Sequence, residues 1–104
     1  MSRICEVSVT YHEKALAQVA AKKLFELRLA AVAHVGEVET TFRWDGAIQV
    51  ASEWRLTVRI TEAAKDSVIA GLTADHPYEL PGFVIHTCET TAESAAWIAS
   101  QIAG

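Results

Sequence analysis

A chain of 104 residues with 51% hydrophobic content has room for one core, a single domain over 1–104, and is too apolar to stay disordered. Its formal net charge of −4, with no lysine-arginine block, argues against nucleic acid as a partner. The longest apolar run, around Leu29 to Val35, is broken by His34 and too short to span a membrane, and no apolar leader follows Met1. Cys5 and Cys88 each sit inside a strand-like run rather than a close pair, so both are expected as unpaired, buried thiols in a reducing cytosol.

Along the chain, "RICEVSV" alternates Cys5, Val7 and Val9 against Glu6 and Ser8, the period of a half-buried strand. Thr10 and Glu13 have the spacing of a capping box. A helix is expected behind them, with Leu16, Val19, Ala20, Leu24 and Leu27 as its apolar stripe. Two strands joined at Asp45-Gly46 follow. The second alternates Ile48, Val50, Trp54, Leu56, Val58 and Ile60 against Gln49, Glu53, Arg55, Thr57 and Arg59. At about thirteen residues it is twice the usual five or six. A two-residue loop would set Phe42 opposite Gln49 and mix the faces. A three-residue Trp44-Asp45-Gly46 loop pairs Phe42 with Ile48, Thr40 with Val50 and Val32 with Val58, and is the expectation from the apolar face.

Thr61 and Glu62 open a second helix with Val68, Ile69 and Leu72 inward, which must stop before Pro77. "DHPYELP" (75–81) then delivers the chain into a fourth strand, "GFVIHTC". Thr90 with Glu93 caps a last helix whose buried side is Ala95, Ile98 and Ile102. The order β-α-β-β-α-β plus a terminal helix is α+β, the ferredoxin-like split βαβ, with helices on one face of an antiparallel sheet. The other face carries Glu6, Ser8, Arg55, Thr57 and Arg59 without cover. A hairpin of roughly 40 Å exceeds a domain whose radius of gyration is near 13 Å. Either it projects and packs on further copies of the chain, or it bends at Gly36 or Ser52 onto its own domain; the oligomer is the favoured expectation.

"LRLAAVAHV", "FRWDG", "SEWRLTVRIT" and "HPYELP" together resemble the CutA divalent-cation tolerance family, in the same order and over nearly the whole chain. The resemblance implies a cytoplasmic homotrimer of ferredoxin-like subunits, architecturally related to the PII signalling proteins. It implies a non-enzymatic role in tolerance of copper and other divalent metals. By position, Trp44 and Gly46 match the family's hairpin tip, Glu53 and Arg59 a polar pair on the long strand, and His76, Pro77, Tyr78, Glu79 and Pro81 the loop. Tyr78 and Glu79 are thereby placed at a subunit contact. The chain departs from the family at Val9, where a cysteine proposed as a copper ligand is common, at Asp75, where some members have a second histidine, and at Gly82.

The chemistry leaves several readings open. The four histidines, His12, His34, His76 and His86, show no HxH, HxxxH or HExxH spacing, so Asp75 with His76 is the best metal candidate and a weak one. His34 shares the parity of Val32 and Val38 and reads as a partly buried, hydrogen-bonded ring; His12 reads as solvated. His86 and Cys88 share a strand face, a weak pair. No nucleophile elbow or glycine-rich phosphate loop is present, and no enzyme activity is expected. Arg59, Glu53 and Tyr78 line either an inter-subunit cleft for a small anion or an interface ion pair with a packed tyrosine. The functions open are an indirectly acting tolerance trimer, a PII-like sensor of a small anion or nucleotide, and a direct binder of a divalent cation such as copper. No cofactor is required by any motif, and a protein partner stays unidentified.

Overall fold

The computed structural model describes residues 1–103. Strand β1 spans Ser2–Tyr11, helix α1 Lys14–Glu26, strands β2 and β3 Val32–Trp44 and Ala47–Ile60, helix α2 Lys65–Asp75, strand β4 Val84–Thr90 and helix α3 Ala92–Gln101. A single 3-10 turn, Glu62–Ala64, leads into α2. The four strands form one sheet in the order β2-β3-β1-β4, and every neighbouring pair is antiparallel. This is the α+β, ferredoxin-like split βαβ that the alternating periods imply.

The main core lies between α1, α2 and one face of the sheet. Val7, Val9, Leu56, Val58 and Ile60 from the strands meet Ala17, Ala21, Leu24, Val68 and Leu72 from the helices, all buried. The stripe of α1 is thus turned from the expected one. Val19 and Leu27 are exposed, while Ala17 and Ala21 face the sheet, their small side chains allowing a close approach. Helix α1 ends with Arg28 at φ 56, its N–H donating to the Phe25 carbonyl, while Leu29 N–H donates to the Leu24 carbonyl at 2.9 Å. These two bonds are the Schellman pattern, with a non-glycine residue in the left-handed position.

Both expected capping boxes shift. Thr10 is the last residue but one of β1, not a cap, and α1 begins behind Glu13 with no side-chain cap. In α3 the cap is Thr91, whose Oγ1 accepts from Ser94 N–H at 3.1 Å, while Thr90 ends β4. His34 is exposed rather than partly buried. Helix α3 also leaves the expected layer: Ile98 is buried with Ile4 and Ala31 and packs on Val32 and Cys88. Ile4 and Cys88 are direct cross-strand partners on the sheet's second face, the face of Glu6, so α3 covers one end of it.

The β2–β3 hairpin runs unbroken from Val32↔Arg59 to Trp44↔Ala47, leaving a two-residue Asp45-Gly46 loop. Asp45 has φ 51 and Gly46 φ 76, as a type I′ turn requires. The three-residue loop is therefore corrected: Phe42 faces Gln49, Thr40 faces Ala51 and Val32 faces Arg59. The reason is that the outer hairpin has no single apolar face. Phe42 and Trp44 lie on one side, and Ile48 and Val50, which pair with Arg43 and Thr41, lie on the other. Register there follows the turn. The hairpin contains no bend back onto the domain, and the molecule measures 45 × 26 × 21 Å.

Candidate functional site

Strand β1 pairs with β3 only over residues 54–60, so the edge of β3 from Ala47 to Glu53 has no strand beside it. The loop 76–82 occupies the inner part of this step. Pro77 forces its start: His76 caps α2 with φ −73 and ψ 132, the extended geometry imposed before proline. From there the loop crosses the end of β1 from the helical face to the second face.

His76 is the pin of this crossing. Its Nε2 meets the Thr10 carbonyl at 2.9 Å and its Nδ1 accepts the Tyr78 N–H at 3.1 Å. Its ring stacks on Tyr11 at 4.3 Å between centroids and meets Tyr78 edge-on at 4.7 Å. Burial above all lowers its pKa, so the neutral Nε2–H tautomer fits both bonds. With both nitrogens engaged, the ring has no lone pair to give a cation. Asp75 is turned to Lys23, whose Nζ also donates to the Gly71 carbonyl at 3.1 Å. The Asp75–His76 metal expectation therefore has no geometric support: the two residues serve the α2 terminus and the loop crossing.

Beyond His76, the Tyr78 hydroxyl donates to Glu53 Oε2 at 2.5 Å, and Thr10 Oγ1 donates to the same oxygen at 3.1 Å. Among the described residues Glu53 is the buried charged one, 7% exposed. Burial opposes its ionisation most strongly, but the Tyr78, Thr40 and Thr10 hydroxyls together outweigh it, and its carboxyl titrates below the ordinary value. The Tyr78 phenol is pushed well up, by burial first and then by that carboxylate. Glu53 is on the second face because it lies on the parity of Arg55, Thr57 and Arg59.

A groove of about 670 Å³ opens from this pair toward the hairpin tip, lined among others by Phe42, Trp44, Gln49, Glu53, Tyr78 and Glu79. Four of the expected site residues, Trp44, Glu53, Tyr78 and Glu79, thus meet in one place. Arg59 does not join them. It is six residues along β3, roughly 20 Å away, with its Nε on Glu6 Oε2 at 3.0 Å. Glu6 was legible only as a polar strand residue; its opposition to His86, set by the β1–β4 register, needed the fold.

A ferredoxin-like chain with a long β2–β3 hairpin and a groove at its root defines the structural class. The family model for the CutA1 divalent ion tolerance protein matches residues 5–101, and the chain belongs to that family. The probable divalent-cation tolerance protein cutA homolog of Encephalitozoon cuniculi is 30% identical over 81 residues, covering 78% of this chain and 71% of its own. CutA from Synechococcus elongatus superposes with a TM-score of 0.93 at 24% identity, over 99% of this chain and 93% of its own. The Cut A1 protein of Thermus thermophilus gives 0.88 at 27% identity, over 98% and 100%.

Proposed function

We propose that this chain serves divalent-cation tolerance as a non-enzymatic homotrimer, with copper the first metal to test. The carrying observation is the outer hairpin. Its β3 edge from Ala47 to Glu53 has no strand partner, and it exposes apolar side chains on both faces: Phe42 and Trp44 at 40% and 46%, Ile48 and Val50 at 66% and 64%. Full burial of such a side chain stabilises by roughly 1.5–3 kcal/mol, and an open strand edge is a template for another chain. An edge that meets a different surface of the next copy makes a head-to-tail contact, which closes into a ring where the rotation between copies allows it. Three copies is the number that the family resemblance implies. The free thiols of Cys5 and Cys88 suit a reducing, cytoplasmic setting.

Light scattering at micromolar concentration tests the assembly; a mass of 11.3 kDa would overturn it. Growth of a host lacking this gene, with and without its return, under graded copper and zinc tests the role. Restored growth that depends on the gene is expected, and equal growth counts against it.

The groove supports a second reading, a small ligand at the root of the hairpin. Its lining includes Glu53 and Glu79 and no lysine or arginine, so an anion or nucleotide would have to find its cations on a neighbouring copy. Calorimetry with ATP, ADP, Cu(II) and Zn(II) separates the readings, and absence of heat from all four removes direct binding.

A further inference from the structure

Beyond the groove, at the end of the second face that α3 covers, three ligand-bearing side chains converge. Glu6 is the direct cross-strand partner of His86, and Cys88 is two residues along β4 on the same face. One ligand atom from each lies within 4.8 Å of the other two. We propose that Glu6, His86 and Cys88 form a binding site for a divalent transition metal of borderline softness, zinc being the type.

The donor set suits that class: a carboxylate oxygen, an imidazole nitrogen and a thiolate are the ligands zinc takes. In a tetrahedral zinc site the ligand atoms stand roughly 3.5 Å apart. Closing from 4.8 Å needs only side-chain rotation, because His86 is more than half exposed at 58%. The carboxylate is already aimed. Arg59 holds Glu6 Oε2 at 3.0 Å, and the remaining oxygen, Oε1, is 3.2 Å from His86 Nε2. An outer-shell partner that fixes a ligating carboxylate in this way is usual at metal centres. Cys88 packs on the Ile4, Ala31 and Ile98 cluster, which restrains the sulfur from behind. Three protein ligands leave a fourth position for water. On binding, the Cys88 thiol loses its proton to solvent and the metal–sulfur bond replaces it. The plain alternative is a Glu6–His86 ion pair with a bystander thiol.

The three ligands come from β1 and β4 of one chain, so the site is tested separately from the proposed trimer. The test is titration of the reduced, purified full chain in its own assembly with Co(II). Expected are about one equivalent per chain, a thiolate-to-cobalt charge-transfer band, and loss of the band on adding Zn(II). Cys88→Ser should abolish the band, and His86→Ala should weaken Co(II) binding about 10-fold or more. Cys5→Ser, whose sulfur faces the opposite core, should leave the band unchanged. A missing band in the parent chain, or a band that survives in Cys88→Ser, overturns the site. Should Cys88→Ser change the assembly mass, His86→Ala decides alone: unaltered Co(II) affinity overturns the proposal.

Discussion

Tyr78, in the loop before β4, donates its hydroxyl to the buried carboxylate of Glu53 on β3, 25 residues earlier in the chain. The bond ties the loop to the inner end of the hairpin's unpaired edge. Tyr78→Phe removes one donor from a buried charge, and such a loss costs about 1–3 kcal/mol. We predict that denaturant unfolding at neutral pH shows that loss, and an unchanged midpoint would remove the pair's structural role.

The same carboxylate predicts an acid dependence. The folded pKa of Glu53 is depressed below its ordinary value of 4.5. The unfolded chain therefore holds the proton more tightly, and the contribution is complete above about pH 4.5 and lost as pH falls through the folded value. Unfolding measured from pH 7 down to 3 should show that decline. In Glu53→Gln the decline should be shallower.

His76 acts in the same direction at higher pH. Its folded pKa lies below 6.5, so its contribution is present above 6.5 and falls away as acid charges the ring. Proton NMR of the imidazole should show His76 titrating below the ordinary value of 6.5. A His76 midpoint at or above 6.5 would contradict the neutral tautomer.

Arg28 occupies a left-handed position with φ 56. Its carbonyl accepts the Ala103 N–H at 2.9 Å, a backbone bond that any residue keeps. Arg28→Gly should therefore stabilise the chain by about 1 kcal/mol, read as a raised unfolding midpoint. Gly46→Ala at φ 76 should do the reverse by a similar amount.

Ile48→Lys and Val50→Glu place charges on one side of the hairpin's outer half and leave the buried core untouched. Each should lower the mass seen by light scattering toward the single chain. An unchanged mass would count against the proposed contact at this hairpin.

The sequence made the elements, their order and the sheet's inner face legible, because strands with one wet side alternate strictly, as from Leu56 to Ile60. It misled where that premise fails. On the outer hairpin both faces are apolar, so the pattern around Phe42 and Ile48 could not fix the register, and the Asp45-Gly46 turn did. Thr10 resembled a cap because its side chain and Glu13 have the right spacing, yet its hydroxyl serves Glu53. His76 looked like a ligand for want of its partners: the Thr10 carbonyl is 66 residues away and a backbone group, which no residue-type pattern displays. Arg59 is paired with Glu53 through the resemblance to the family's long strand; within one chain it sits six residues further along β3, where its Nε meets Glu6, a partner that the resemblance does not display.

The hairpin's tight turn also bears on the order in which the molecule forms. Asp45 and Gly46 join strands that are neighbours in sequence, so their pairing closes a short loop and takes on the order of microseconds. The β1–β3 and β1–β4 ladders join distant segments and form later. The outer half of the hairpin has no intramolecular partner to wait for. Refolding should therefore separate into an early phase indifferent to protein concentration and a last one that quickens as concentration rises.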